Sequence, residues 1–113
     1  MIAGLDVRPE DYIVTKTRYS GFYKTDLESI LQSLSITTLA ICGINTHACV
    51  KSTIVDAFMR DYRIFVPAEC VNSYDLKGHE NTLLYLSNRL VKIVSLQEML
   101  ERVNTGNYNF YFD

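Results

Sequence analysis

Strand-like and helix-like segments alternate along this chain, and that alternation limits the fold more than any other feature. Asp11-Tyr-Ile-Val-Thr15 is short and β-branched and reads as a strand. Leu27, Ile30, Leu31 and Leu34 fall at i, i+3, i+4 and i+7, one face of a helix that Thr25 or Asp26 can cap. Thr37 to Cys42 is apolar and β-rich, and Gly43 ends it. Cys49 to Arg60 has helical spacing, with Val50, Ile54, Ala57 and Phe58 on one side. Tyr62 to Val66 is a strand stopped by Pro67, and Leu76, Leu83, Leu86 and Leu90 predict a helix over Asp75 to Arg89. Val91 to Val94 is a short strand. Ser95 and Glu98 then form a capping box ahead of Leu96, Met99, Leu100 and Val103. The order β-α-β-α-β-α-β-α predicts an α/β fold, a parallel sheet with helices on its faces and right-handed crossovers.

Composition bounds what such a fold can be used for. At 113 residues there is room for one domain. With 48% hydrophobic residues, 5 Gly and 2 Pro, collagen-like, linker-like and strongly disordered chains are excluded. A net charge of −2 gives no global electrostatic case for nucleic-acid binding. No run approaches the roughly 18 apolar residues of a transmembrane helix, so no membrane partner is expected. Three cysteines, no Cys-x-x-Cys spacing and no secretory signal predict free thiols in a reducing compartment, and hence a cytoplasmic protein.

In parallel sheets of this kind, ligands bind at the carboxyl ends of the strands. That rule points to Lys16, to Gly43 through Cys49, and to Pro67 through Tyr74. Cys49 falls in the first turn of its helix, where orphan N–H groups and the positive end of the dipole favour a thiolate. Lys16, at the end of the first strand, can reach the same edge and favour it further. Cys42 in a strand and Cys70 in a loop read as small apolar packing residues. His47 and His79 have no metal-ligand spacing around them, and Gly43 belongs to no phosphate-binding loop. Arg18 and Lys24 read as solvated neighbours of Lys16. In the tail, residues 105–113, Tyr108, Phe110 and Phe112 alternate. They suit either a frayed terminus or pairing with a sheet edge or a neighbouring subunit.

Two segments carry a more specific likeness. Lys16-Thr-Arg-Tyr-Ser-Gly-Phe22, followed by Thr25-Asp-Leu27, resembles the lysine segment of the isochorismatase-like cysteine hydrolases, the nicotinamidase and N-carbamoylsarcosine amidohydrolase group. Gly43-Ile-Asn-Thr-His-Ala-Cys-Val50 is similar to their nucleophile segment, and the likeness continues through Thr53, Asp56-Ala57, Tyr62 to Ala68, Ser73 and His79-Glu80. The resemblance implies a three-layer α-β-α fold with six parallel strands in the order 3-2-1-4-5-6. This chain supplies the equivalents of the third to sixth strands and lacks the first two. Residues 1–104 are then the C-terminal portion of the hydrolase domain, and 105–113 a separate aromatic tail. Three arrangements suit the gap: the 11–15 strand pairs directly with the 37–42 strand, another polypeptide fills the space, or the first segment is poorly ordered.

The resemblance also implies an Asp–Lys–Cys triad, with Cys49 as nucleophile and Lys16 as its electrostatic partner. It implies an oxyanion hole from the backbone N–H groups of Asn45 and Cys49, and a cis peptide between Ile44 and Asn45. Tyr19, Phe22 and the stretch Ala68 to Ser73 are expected pocket walls. The triad's aspartate has no match: Asp6 and Asp11 are the only upstream candidates, and neither follows an apolar strand. The nicotinamidase-type metal site falls in the absent region, so no metal is carried over, and no cofactor is expected. Retention of the cysteine favours a small amide-type substrate. The expected activity is hydrolysis of a C–N bond, in a homo-oligomer or with a complementing chain. The alternatives are a non-catalytic or complementing subunit of a split hydrolase, and a reactive-cysteine sensor at Cys49.

Overall fold

The computed structural model describes residues 4–109. Strand β1 (Thr38–Ala40) and β2 (Gly43–Ile44) follow α1 (Leu27–Ser33). Helix α2 (Lys51–Phe58) leads to β3 (Arg63–Pro67) and β4 (Val71–Asn72). Helix α3 (Leu76–Leu86), β5 (Lys92–Val94) and α4 (Leu96–Thr105) complete the order. β3 lies between β1 and β5, parallel to both: Leu39 stands opposite Ile64, and Val66 opposite Ile93. β2 and β4 form a second, shorter parallel ladder, with Gly43 opposite Val71. Between the two ladders the register offset grows by three residues, because Ala68–Cys70 turns through a 3₁₀ helix on one chain only.

Ile64, Phe65, Val66 and Pro67 are all fully buried, as a central parallel strand covered on both faces must be. Their alternation sorts the helices into layers. Ile64 and Val66 join Val50, Ile54, Ala57, Leu86 and Val91 in the main core, against which Leu27 and Leu31 of α1 and Leu83 of α3 also pack. Phe65 faces the other way, onto Val94 of β5 and Met99 of α4. The result is the three-layer α-β-α arrangement. No helix among the described residues is long and apolar enough to cross a membrane.

Residues 11–15 do not form the expected strand. They join no ladder, and Tyr12 and Ile13 are 62% and 66% exposed. The reason is that β-propensity needs a partner. Among the described residues no strand pairs with the segment, and Ile13, Val14 and Thr15 instead share a cavity with Lys24, Thr25 and Ile30 at the start of α1. Direct pairing with β1 is therefore excluded, and the edge of β1 away from β3 has no partner among the described residues. On the α4 face beside β1, a groove of about 360 Å³ is lined by Ile36, Leu39, Met99, Val103 and Tyr108. Phe110 and Phe112 of the expected aromatic tail lie outside the described residues.

The helix ends largely follow the sequence. Thr25 Oγ1 accepts from Leu27 N–H at 3.3 Å, whereas Asp26 makes no side-chain cap. Asp75 caps α3 through Gly78 N–H at 2.9 Å. Ser95 Oγ accepts from Glu98 N–H, but the return half of the capping box is missing: the Glu98 carboxylate pairs with Arg102 Nε at 2.9 Å. Arg102 in turn lies over the Phe65 ring, 5.0 Å from its centroid. Ile54, with no exposed surface and part of the main core, is a position sensitive to truncation. Ile54→Ala is expected to lower unfolding free energy by about 2–5 kcal/mol, read from urea melts.

Candidate active site

The carboxyl ends of β1 and β3 bring the sequence-identified residues to one edge. Gly43 is held at φ 134°, a conformation that side chains rarely adopt. The Ile44–Asn45 peptide that follows is cis. The chain then enters a π-turn over Thr46–Val50 before α2 begins. Cys49 thus sits in the opening turn of one continuous helical run, and that turn is wider than an α-helix. Asn45 C=O accepts from Ala48 N–H at 3.0 Å and from Val50 N–H at 3.2 Å. The Cys49 N–H between them makes no bond to that carbonyl. Single π-turns of this kind recur at functional sites because they re-aim the groups they carry.

Two hydroxyl–imidazole pairs hold the turn in place. Thr46, fully buried, places Oγ1 2.8 Å from His79 Nδ1 on α3. His47 Nδ1 lies 2.7 Å from Ser73 Oγ in the segment after β4, and Ser73 Oγ also accepts from Asp75 N–H. The His47 ring meets the Tyr74 ring edge-on at 5.5 Å. Sequence reasoning assigned neither histidine a partner. Spacing carries no signal for either contact, since the partners lie 33 and 26 residues apart; only in the fold does the buried Thr46 hydroxyl demand a hydrogen bond. Among the described residues, no group of three or more His, Cys, Asp or Glu could hold a metal ion.

Lys16 reaches this edge from the other side. Its Nζ lies 3.5 Å from Cys49 Sγ and donates to Arg18 C=O at 3.1 Å. The segment that carries it is fixed downstream: Gly21 N–H donates to Thr53 Oγ1 on α2 at 2.9 Å, and Phe22 is buried in the main core. Phe22 is 5% exposed, packs against Tyr62 and lies under the Arg60 guanidinium. It is an anchor, and the exposed Tyr19, with Tyr23, lines a cavity. That open cavity, of about 440 Å³, is walled by Arg18, Tyr19, Ser20, Tyr23, Ser52 and Asp56, and its lining includes neither Lys16 nor Cys49. Asp6 pairs with Arg8, and Asp11 accepts from Arg8 N–H, so both upstream carboxylates are engaged away from the thiol.

A parallel α/β domain with an ammonium against a thiol at the carboxyl edge of its sheet defines a class: an α/β protein built around a paired cysteine. Comparison with known proteins narrows it. The isochorismatase domain matches residues 1–98, and the chain belongs to the isochorismatase family. An isochorismatase-like hydrolase from Alkaliphilus metalliredigens superposes with a TM-score of 0.85 at 30% identity, over 90% of this chain and 56% of that one. The nicotinamidase of Staphylococcus aureus is 43% identical with a TM-score of 0.66, over 68% of this chain and 50% of its own. A protein of Arabidopsis thaliana named a probable inactive nicotinamidase is 33% identical over 105 residues, 91% of this chain and 54% of that protein. The chain therefore spans about half the length of the relatives it matches.

Lys16→Met is expected to slow alkylation of Cys49 by iodoacetamide several-fold, and Thr53→Val, which frees the lysine segment, to act in the same direction. Lys24→Met should leave the rate unchanged. Peptide-resolved mass spectrometry of the alkylated chain reads all three.

Proposed function

We propose that this chain carries the thiol half of a cysteine hydrolase site that cleaves the C–N bond of a small amide-type substrate. One observation carries the reading: Lys16 Nζ and Cys49 Sγ, 33 residues apart in sequence, meet at 3.5 Å. The ammonium favours the thiolate, which attacks the substrate carbonyl. The developing oxyanion is met by backbone N–H groups, for which Cys49, skipped by the Asn45 carbonyl, and Asn45 are the candidates. Collapse expels the amine and leaves a thioester on Cys49. Water then hydrolyses it and frees the thiol. Tyr19 and the stretch after β3 are the proposed walls for the substrate. The names of the relatives, nicotinamidase among them, support an amide; they do not choose one.

The scheme needs a group to take the thiol proton and return it to the leaving amine. Among the described residues, Lys16 Nζ touches only Arg18 C=O and Cys49 Sγ. A second reading follows, in which this chain is one part of an assembly and another polypeptide brings the carboxylate. The edge of β1, unpartnered among the described residues, and the exposed Tyr12 and Ile13 favour it.

The chain and its Cys49→Ala variant are to be assayed on nicotinamide, carbamoylated amines and ureido compounds. Faster release of amine by the unsubstituted chain, with an acyl adduct on Cys49 by mass spectrometry, is the expected result. Equal background rates would remove the claim of catalysis by this chain alone. A missing general base costs about 10²–10⁴-fold in rate. Recovery of that factor on adding a carboxylate-bearing partner, with a defined complex by native mass spectrometry, would mark the second reading.

A further inference from the structure

We infer that Cys42 and Cys70 form a reversible intramolecular disulfide, a modification site at the base of the nucleophile turn and separate from Cys49. Sequence reasoning read both as packing residues, but Cys42 is exposed and Cys70 half-buried. The register brings them together. Gly43 pairs with Val71 in the β2–β4 ladder, so Cys42 and Cys70 each stand one residue before a paired position on neighbouring parallel chains. Neighbouring strands lie about 4.7–4.9 Å apart, inside the roughly 4.4–6.8 Å Cα separation that a disulfide accepts. The three-residue step of the 3₁₀ turn Ala68–Cys70 creates this meeting: with the offset of the β1–β3 ladder, Cys42 would face Pro67. The thiols also sense each other. Although the residue is exposed, partial desolvation of its sulfur first, then the charge of Cys70 and a hydrogen bond with it, push the Cys42 thiol up from its ordinary value.

The oxidant required is a small-molecule disulfide. The thiolate of one cysteine attacks it, forming a mixed disulfide and releasing one small thiol. The second cysteine loses its proton to solvent and attacks the protein-bound sulfur. This forms the Cys42–Cys70 bond and releases the second small thiol. Two protein thiols are oxidised as one disulfide is reduced. The bond would fasten β2, which leads into Cys49's turn, to β4, which leads to the Ser73 that holds His47.

The test uses the full chain as Cys49→Ala, whose only thiols are Cys42 and Cys70. After treatment with oxidised glutathione, the expected product is a monomer lighter by two hydrogens, with no thiol titratable under denaturing conditions. Dithiothreitol should restore both. Adding Cys42→Ser or Cys70→Ser should leave only a glutathione adduct. The proposal is overturned if the two-thiol chain ends with glutathione adducts, chain-to-chain dimers or both thiols still free. Should Cys49→Ala fail to fold, the unsubstituted chain gives the same answer by fragment-ion mapping, because Cys42 and Cys49 share a tryptic peptide while Cys70 lies in another. A bond from Cys70 to Cys49 there would equally refute it. The outcome is independent of hydrolase activity.

Discussion

Among the described residues β3 alone is hydrogen-bonded on both sides, and it contributes four consecutive residues with essentially no exposed surface. The Ile64, Phe65 and Val66 side chains are each worth about 1.5–3 kcal/mol in burial. The geometry matters as much as the area. Because side chains alternate along a strand, Ile64 and Val66 gather α1, α2 and α3 on one face while Phe65 gathers α4 on the other. Because β1 and β3 are parallel, they end at the same edge, and the turns that leave them lie side by side. The site has its position because β3 has its neighbours.

What the sequence revealed and what it hid divide along physical lines. The sequence pattern exposed all four α-helices and the β1, β3 and β5 strands, since each packs against this chain's own core. It failed for 11–15, where strand propensity is real but no ladder is available to satisfy it. It could not show the π-turn at Thr46–Val50, because one extra residue in a turn leaves no mark on the spacing of Val50, Ile54 and Ala57. The capping box at Ser95 was half right: Glu98 had a stronger partner in Arg102 than the backbone N–H behind it. Lys16 and Cys49 were legible as a pair from the two family-like segments that carry them; the contact forms although 11–15 joins no ladder that would make Lys16 a strand end. The histidine partners Ser73 and Thr46 were not, since a hydroxyl contact across 26 or 33 residues depends on register alone.

Register also explains the difference between the two halves of the site. Around Cys49, Thr46 is held by His79 of α3 and His47 by Ser73 in the segment after β4. Lys16 is exposed, and its support begins only at Gly21 and Phe22. The nucleophile's side is preorganised by burial; the lysine's side rests on the Thr53 hydrogen bond and one aromatic anchor.

The edge of β1 that is unpartnered among the described residues has a polarity. Two copies of the chain meeting there about a twofold axis would pair β1 with β1 antiparallel and carry their Cys49 residues to opposite ends of the joined sheet. A strand that runs parallel to β1 does the reverse: its last residue arrives where β1 ends, beside Gly43 and the turn that holds Cys49. Direction of pairing, rather than affinity, thus separates an occupant that only covers the edge from one that delivers a side chain to the thiol.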